Sequence, residues 1–329
     1  MDTPPLPETE SLRCLERAHI PELPNFHGGK VRDSYDLGDG RRVIIATDRQ
    51  SAFDRMLSPI PRKGEVLTRL SSFWFGETAS ICANHLIAVP DPNVTIARTL
   101  KMIPIEVVVR AYLTGTTGTS IWVQYQSGVR EFGGMRLPDG LAKNSALPRP
   151  LITPTSKAPL GSHDVPVGER GIVDAGLCTK EQWERIKAAS FAIFACGQKL
   201  SAARGILLVD TKYEFGLDDR GEVVLADEVH TPDSSRLWLA ASYKERLLKG
   251  EEPEMLDKEY LRLWINRRWR PYEEEIPPLP DEIRRELSDR YVRICEAITG
   301  EKLALPSSDP LARIRANLKR VLPEYFRAR

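Results

Sequence analysis

The pattern of apolar and polar positions predicts a charged β-hairpin in the second half of the chain. From 207 to 215 apolar or aromatic side chains alternate with Asp210, Lys212 and Glu214, which is the two-residue period of a strand with one polar face. Glycines and aspartates at 216–221 predict a turn. The largely apolar run 223–229 then predicts the returning strand.

Two carboxylates are expected to face each other in this hairpin. A turn centred near Arg220 places Glu214 opposite Asp227, and opposed side chains of an antiparallel pair lie roughly 5 Å apart at Cβ. Like charges this close need a cation or a shared proton. Mg²⁺ suits them, because it takes one or two protein carboxylates together with nucleotide phosphates. The alternative is that Lys212 neutralises a solvated patch, and a register shifted by one residue would remove the pairing.

The remaining pattern predicts a mixture of strands and helices. Residues 103–109 form a buried type of strand, and Pro104 near its start makes an inter-domain hinge plausible. Thr179–Ala203 has the spacing of a long amphipathic helix with Thr179 as its cap. Residues 126–168 are rich in glycine and proline and predict a long irregular segment, which is usually functional or disordered. Helices joined by acidic and proline-rich links are expected after residue 242.

Composition limits the class of protein. The chain has 329 residues, 41% hydrophobic and 28% charged, with a formal net charge of +1. Such a balance is ordinary for a globular protein and favours neither nucleic acid nor a membrane surface as a partner. The five cysteines are scattered and odd in number, which argues against a disulfide framework or a zinc site. No apolar run is long enough to span a bilayer and no signal peptide is evident, so we expect a soluble cytoplasmic protein.

A glycine-flanked hairpin near the N-terminus has the residues to bind phosphate. Gly28 and Gly29 precede Lys30 and Arg32, which lie two residues apart. Glycine lets a backbone approach a phosphate closely, and the two cations offset its charge. The alternative is an ordinary surface hairpin with basic residues. The segment is not a phosphate-binding P-loop, since GxxxxGK[ST] is absent.

Two further segments carry candidate binding residues. Arg110 ends the buried strand beside a loop rich in glycine and threonine, which suits two-pronged capture of a phosphate or carboxylate; equally, it could pair with Glu106 and only close the strand. Residues 151–157 end in Thr155, Ser156 and Lys157 and are followed by His163 and Asp164. These groups could bind an anionic substrate or simply be solvated.

The combination of motifs resembles the SAICAR synthetase family, which comprises the phosphoribosylaminoimidazole-succinocarboxamide synthases. The resemblance covers nearly the whole chain, because long motifs occur in the right order. They are GGKVRDSYDLG, ATDRQSAFDR, DPNVTIA, PIEVVVRAYLTGTTGTSIW, LITPTSKA with HDVP, LLVDTKYEFG, DEVHTPDSSRLW and LDKEYLRLW. Ala111 and Ser156 stand where many relatives have glycine and threonine.

The resemblance implies an α+β fold similar to ATP-grasp enzymes. A β-rich, nucleotide-binding N-terminal lobe is expected over 1–103, and an α+β C-terminal lobe with a helical extension over 104–329. The implied reaction joins L-aspartate to the carboxylate of carboxyaminoimidazole ribonucleotide, with ATP going to ADP and phosphate. It would pass through an acyl phosphate, so that charge neutralisation and positioning matter more than a nucleophilic side chain.

The resemblance also implies a role for each candidate residue. Lys212 would face the reacting carboxylates with Asp210 orienting it, and Glu214 and Asp227 would hold Mg²⁺. The implied ATP-binding residues are Gly29, Lys30, Arg32, Lys101, Met102 and Glu106. The implied residues for the ribonucleotide are Arg110, Gly115, Thr116, Ser235 and Arg236, and those for the aspartate side are Thr155, Lys157 and Asp164.

Two other functions remain open at the level of sequence. Inositol-phosphate kinases have a related fold and an element similar to Asp210-Thr211-Lys212. A non-enzymatic nucleotide-binding module would bind ATP without turnover. Small-molecule substrates are the only partners expected, and the chain would act as a monomer or a homodimer.

Overall fold

The structure is a computed structural model that describes residues 13–157, 165–303 and 309–327. The chain divides into two compact units. The first comprises Met1–Ser72, Leu86–Thr99 and Tyr260–Arg329, as far as these are described, and the second comprises Phe73–His85 and Leu100–Glu259. In this division the C-terminal helices belong to the same unit as the N-terminal strands, whereas the expected C-terminal lobe included them. The lobe boundary after residue 103 stays a prediction.

The elements before residue 100 are mostly short strands. They are β1 Phe26–Gly28, β2 Arg32–Asp36, β3 Arg41–Ala46, β4 Gln50–Ala52, β5 Arg55–Leu57, α1 Lys63–Glu77, β6 Leu86–Asp91 and β7 Val94–Arg98. The predicted glycine-flanked hairpin is confirmed, since β2 and β3 pair in antiparallel register. Glycines on either side end these strands, as the sequence indicates.

The middle and C-terminal elements contain the longest strands and helices. They are β8 Lys101–Tyr112, α2 Ile121–Gln126, β9 Glu131–Phe132, β10 Met135–Arg136, β11 Ala146–Ser156, β12 Val165–Pro166, α3 Glu169–Asp174, α4 Lys180–Ala202, β13 Ile206–Leu217, β14 Val223–Ala226, β15 Ser235–Leu239, α5 Ala240–Leu248, α6 Glu259–Asn266, α7 Asp281–Thr299 and α8 Pro310–Val321, followed by a 3-10 turn Pro323–Tyr325.

The first unit is built on a five-stranded antiparallel sheet in the order β1-β2-β3-β7-β6. Alternate residues of its strands are buried, among them Tyr35, Val43 and Ile45. They form one core with Ile314 and Leu318 of α8. The amphipathic C-terminal helix therefore buries its apolar side within this unit.

The second unit is built on a six-stranded sheet with β13 at its centre. The order is β12-β11-β8-β13-β14, and β15 also pairs with β13. The predicted strand at 207–215 is confirmed, although β13 extends beyond it at both ends. The irregular segment predicted for 126–168 is partly wrong, because β11 runs from Ala146 to Ser156.

Prolines hide this strand in the sequence. β11 contains Pro148, Pro150 and Pro154, and proline cannot donate to a β-ladder. Its pairing with β8 shifts between Ala146 and Leu151. The irregularity lies where Pro148 and Pro150 interrupt the ladder, and regular pairing resumes beyond it.

Helix α4 covers the apolar face of the second sheet. Its cap is as predicted: the Thr179 hydroxyl accepts the Gln182 N–H, and the Gln182 side chain accepts the Thr179 N–H. At Gly197 the helix backbone comes close to the His230 ring, and that ring meets the Tyr213 hydroxyl. The side of β13 that carries Tyr213 therefore faces α4, and the neighbouring residues in the strand point to the other side.

Candidate active site

A polar face lies on the side of the second sheet away from α4. Cross-strand partners share a face, and the register brings matching residues of β11, β8, β13 and β15 into rows. We call this the polar face and define it by Thr153, Thr155, Glu106, Arg110, Asp210, Lys212, Glu214 and Arg236. One surface therefore contains half of the residues implied for catalysis and substrate binding, namely Arg110, Thr155, Asp210, Lys212 and Arg236.

The predicted pairing of Glu214 with Asp227 is wrong by one residue. Glu214 lies opposite Ala226 in β14. A short loop decides this, because Asp218 Oδ1 accepts the N–H groups of both Arg220 and Glu222, each at 2.9 Å. The Asp218 N–H also donates to the Glu222 carbonyl at 3.1 Å, so the hairpin closes one residue earlier than predicted.

The carboxylate that faces Glu214 is Glu106 of β8. The Lys212 ammonium lies between them, donating to Glu106 Oε1 at 2.6 Å and to Glu214 Oε1 at 2.9 Å. Lys157, after the end of β11, donates to the other oxygen of Glu214 at 2.5 Å. The two opposed carboxylates are therefore Glu214 and Glu106, in place of the predicted Glu214 and Asp227, and lysine ammoniums are their cations.

Asp227 still acts on this cluster electrostatically. It follows the end of β14 with a positive φ of 60°, a conformation that aspartate tolerates better than most residues. Burial lowers the pKa of Lys212, but the negative charges of Glu214, Glu106 and Asp227 outweigh it and hold that pKa well above its ordinary value. Lys212 is therefore cationic at neutral pH. Its side chain remains 29% exposed.

The donor chemistry of this cluster fits a hard divalent cation. Glu106, Glu214 and Asp227 offer carboxylate oxygens, which Mg²⁺ prefers. Within residues 13–157, 165–303 and 309–327, however, no group of three or more His, Cys, Asp or Glu side chains is arranged to hold a metal ion. Lysines contact Glu106 and Glu214, so the assignment of Mg²⁺ to Glu214 and Asp227 stays a prediction.

A row of alternating charge crosses three neighbouring strands. Asp210 is the cross-strand partner of Arg110 in β8 and of Arg236 in β15. Its Oδ2 lies 2.5 Å from Arg236 Nη1 and 3.5 Å from Arg110 Nη1. Arg110 Nε also donates to the Thr153 hydroxyl at 2.7 Å. Asp210 therefore orients two arginines. The Lys212 ammonium, which Asp210 was expected to orient, contacts Glu106 and Glu214.

The pKa values of the two arginines shift in opposite directions, although burial lowers both. Burial lowers the pKa of Arg110 to about 10, because the attraction of Asp210 only partly offsets it. Burial also disfavours the charge of Arg236, but the carboxylates of Asp210, Glu259 and Asp257 raise its pKa above the ordinary value. Both guanidiniums are charged at neutral pH. The alternative pairing of Arg110 with Glu106 is not formed, since Glu106 binds Lys212.

The loop after β8 brings further polar groups to Arg236. Gly115 has φ of 108°, and a Cβ there would lie 2.4 Å from Ser120 Cβ and 2.9 Å from Arg236 Nη2. Only glycine fits this position. The Thr116 hydroxyl donates to Glu259 Oε1 at 2.7 Å, and Ser120 Oγ is buried without a partner in the described chain.

The other implied residues of the second unit have separate positions. Ser235 donates its hydroxyl to Thr211 at 2.8 Å on the α4 side. Lys101 and Met102 begin β8 and are exposed, and they pair with Leu217 and Gly216. Thr155 lies beside Glu106 in the next strand. Asp164 falls outside the described residues.

In the first unit, Lys30 lies at the tip of the β1–β2 hairpin. The Gly29 N–H donates to the Arg32 carbonyl at 2.8 Å, which closes a tight turn, and a Cβ at Gly29 would come within 2.9 Å of that oxygen. Lys30 Nζ is 3.6 Å from Asp54 Oδ1. Arg32 begins β2, so only one of the two cations is in the turn itself.

Several residues that shape these sites were not predicted from the sequence. Arg49 donates to the carbonyls of Gly29 at 2.9 Å and Lys30 at 3.0 Å, and so braces the turn. Thr153 contacts Arg110, and Glu259 contacts Arg236. Each is distant in sequence from the group it contacts, and no local spacing signals such contacts.

The lysines, arginines and opposed carboxylates of the polar face define an enzyme that handles anionic substrates. Comparison with known proteins narrows this class. A sequence profile of the SAICAR synthetase family matches residues 25–279. The chain is 50% identical over 296 residues to the phosphoribosylaminoimidazole-succinocarboxamide synthase of Legionella pneumophila strain Paris, covering 90% of this chain and 94% of that protein.

Solved structures agree. The SAICAR synthase of Saccharomyces cerevisiae, complexed with SAICAR, aligns with a TM-score of 0.75 and 29% identity, covering 88% of this chain and all (100%) of that one. A type-2 SAICAR synthetase in complex with ADP aligns with a TM-score of 0.66 and 25% identity, covering 85% of this chain and 100% of that one. The fold is the α+β fold of these enzymes, as predicted. The chain belongs to the SAICAR synthetase family and is a ligase of purine biosynthesis.

Proposed function

We propose that the chain joins L-aspartate to the carboxylate of carboxyaminoimidazole ribonucleotide, using ATP and releasing ADP, phosphate and SAICAR. Membership of the family supports this reaction. It also makes the inositol-phosphate kinase and the non-enzymatic nucleotide-binding module unnecessary as explanations. The relatives solved with SAICAR and with ADP bind the product and the spent nucleotide of the same reaction.

The observation that carries the proposal is the position of Lys212 among carboxylates, in the row next to Arg110, Asp210 and Arg236. A carboxylate substrate is a poor electrophile, and transfer of the terminal phosphoryl group of ATP would convert it to an acyl phosphate. The amine of L-aspartate then attacks the acyl carbon and phosphate leaves. Such chemistry depends mostly on positioning and on neutralising negative charge.

Lys212 is the group we assign to the reacting carboxylate. Its ammonium stays charged at neutral pH, because three carboxylates act on it. It can therefore donate hydrogen bonds to the substrate oxygens as negative charge develops on them. Glu106 and Glu214 hold the ammonium in place, and Asp210 orients the arginines in the adjoining row.

Arg110 and Arg236 are assigned to the phosphate of the ribonucleotide, together with Gly115 and Thr116, whereas the Ser235 hydroxyl is bonded to Thr211 on the other side of the sheet. The planar guanidinium offers paired donors that match a phosphate. Thr155, Lys157 and Asp164 are assigned to the aspartate side. Lys157 supports this assignment, since its side chain is half-exposed while its ammonium contacts Glu214.

ATP is assigned to two separate groups of residues. Gly29, Lys30 and Arg32 would contact its phosphates, and Lys101, Met102 and Glu106 would contact the rest of the nucleotide. Mg²⁺, when bound by Glu214 and Asp227, would neutralise phosphate charge. We also propose a cytoplasmic location and a monomeric or homodimeric state, in keeping with the composition. No described helix is long and apolar enough to cross a membrane.

A coupled assay of ADP release tests the reaction. The purified chain with ATP, Mg²⁺ and carboxyaminoimidazole ribonucleotide is expected to release ADP with L-aspartate at least tenfold faster than without it. Replacing the ribonucleotide by inositol phosphates should give no release. If L-aspartate makes no difference to the rate, the proposed reaction is wrong.

A further inference from the structure

Glu259 is a buried carboxylate that joins two of the residues assigned to the ribonucleotide. It is the first residue of α6 and only 1% exposed. One oxygen, Oε1, accepts the Thr116 hydroxyl at 2.7 Å. The other, Oε2, is 3.3 Å from Arg236 Nη2. Glu259 therefore touches one group from the loop after β8 and one from β15.

Glu259 is a second carboxylate on the Arg236 guanidinium, in addition to Asp210, which Arg236 shares with Arg110. Asp210 already pairs with Nη1 of the same guanidinium at 2.5 Å. Burying another charge is costly unless it is paired and hydrogen-bonded. With Asp210 on Nη1 and Glu259 on Nη2, the planar guanidinium is held at two points. In the described chain Arg236 Nε is buried and has no partner.

Glu259 is in turn fixed to the strand that carries Arg236. Asp257 Oδ1 accepts the N–H of Glu259 at 2.7 Å, and its Oδ2 accepts the N–H of Leu237 at 2.7 Å. Asp257 thus clamps the start of α6 to β15 next to Arg236. Because both bonds are made to backbone, they fix the position of Glu259 relative to the strand that carries Arg236.

We propose that Glu259 is a positioning residue for the ribonucleotide: it holds the Arg236 guanidinium in the arrangement that receives the anionic group of this substrate, and it fixes the loop after β8 by accepting the proton of the Thr116 hydroxyl. The inference rests on the proposed function, since it takes Arg236 and the loop that carries Thr116 as part of the binding site for that substrate. Glu259 itself is not assigned to contact substrate. Its removal should weaken binding of the ribonucleotide selectively, and leave ATP and L-aspartate almost unaffected.

The variant Glu259→Gln tests this directly, because it keeps the shape of the side chain and removes its charge. Loss of one charge-assisted hydrogen bond corresponds to about a tenfold loss of affinity or more. We expect the KM for the ribonucleotide to rise about tenfold, and those for ATP and L-aspartate to change less than about twofold. Glu222→Gln is the control, because Glu222 is an exposed carboxylate of the same unit whose ion-pair partner in the described part of the chain is Arg185, at the surface.

A second variant keeps the inference testable if Glu259→Gln folds poorly. Thr116→Val removes the hydroxyl that Glu259 accepts and leaves the carboxylate in place. Its KM for the ribonucleotide should rise about threefold to tenfold with an unchanged melting temperature, and Thr116→Ser should restore the wild-type value. A KM that stays at the wild-type value in Thr116→Val overturns the inference.

Direct binding separates positioning from a purely structural role. Calorimetric titration with SAICAR, as the nucleotide probe, should show about tenfold weaker binding to folded Glu259→Gln. A merely structural role predicts a lower melting temperature and a smaller active fraction, with the affinity of the folded fraction unchanged, and that result overturns the inference. Failure of the proposed function would look different, because the wild-type chain itself would then release no ADP in response to L-aspartate.

Discussion

At the scale of single residues, the site places charges of both signs close together on a partly buried surface. Glu106 and Glu214 face each other across two strands, and Lys212 and Lys157 neutralise them. Without these ammoniums the two carboxylates would repel. The positions of the lysines thus follow from the same register that opposes the carboxylates.

Glu214→Gln should nearly abolish turnover while preserving the fold. The change removes a charge that holds Lys212 and Lys157, and loss of one preorganised electrostatic group typically costs about 100-fold or more in rate. ADP release should fall to about 1% of wild type or less, with an unchanged far-ultraviolet circular dichroism spectrum. Glu222→Gln should keep the wild-type rate. A nearly unchanged rate in Glu214→Gln would remove Glu214 from the site.

Arg110→Lys should weaken binding of the ribonucleotide more than binding of ATP. Lysine keeps the charge but loses the planar fork, so it cannot maintain both contacts, to Thr153 and to Asp210. Steady-state kinetics should show the KM for the ribonucleotide raised about tenfold, and the KM for ATP changed by less than about twofold. Equal increases for the two substrates would indicate that Arg110 has a structural role only.

At the scale of elements, the two faces of the sheet in the second unit have different roles. One face packs against α4 through side chains such as Tyr213, and the other carries the polar face. The helix is therefore part of the support for the site. Its contribution can be measured at its cap, which lies far in sequence from the charged residues of β13.

Thr179→Ala should destabilise α4 without affecting the chemistry. The change removes the hydroxyl that accepts the Gln182 N–H, and loss of such a cap costs about 1 kcal/mol in the free energy of unfolding. Urea unfolding should show this decrease, and Thr179→Ser should be close to wild type. ADP release per folded molecule should stay constant; a change in KM would mean that the cap influences the site directly.

Arg49→Lys should loosen the turn that presents Lys30. Lysine can donate to one of the Gly29 and Lys30 carbonyls but cannot span both as Arg49 does. If the turn binds ATP phosphates, the KM for ATP should rise about fivefold while that for the ribonucleotide stays constant. Arg42→Lys is the matched control, because Arg42 makes only a 3.8 Å ion pair with Asp36 on the same sheet. The same KM for ATP in both variants would contradict this role of the turn.

At the scale of the whole molecule, stability should depend on pH through a buried histidine. His230 is 1% exposed and lies against the Tyr213 hydroxyl. Burial lowers its pKa from 6.5 to about 3. The folded state therefore keeps the ring neutral, whereas the unfolded state takes up a proton below about pH 6.5. The free energy of unfolding contributed by this residue should fall by about 1.4 kcal/mol per pH unit between about pH 6 and pH 4.

His230→Asn should remove this pH dependence. Asparagine suits the positive φ of 48° at this position and carries no titratable group. Urea unfolding at pH 7, 6 and 5 should show the stability of the variant approaching that of wild type as the pH falls. Burial raises the pKa of Asp48 to about 6 and that of Asp257 to about 7, which acts in the opposite direction, but both chains carry these groups. A constant difference between the two chains would refute the prediction.

The amino-acid sequence by itself determined the elements that local rules control. Alternation of apolar and polar side chains predicted β13, and the capping pattern at Thr179 predicted α4. These predictions succeed because strand period and helix capping depend only on residues a few positions apart. Most residues of the site could also be named, since they lie within motifs that resemble the SAICAR synthetase family.

Only the tertiary structure decided which of these residues meet. Glu106 opposes Glu214, and Glu259 reaches Arg236, across long stretches of chain. The register of the hairpin was missed by one residue, because Asp218 closes the turn through backbone hydrogen bonds that strand alternation does not reveal. A one-residue shift replaces the partner of every side chain in a ladder. Pairing across a sheet is therefore decided by turn geometry and packing, which the alternation of apolar and polar residues does not predict.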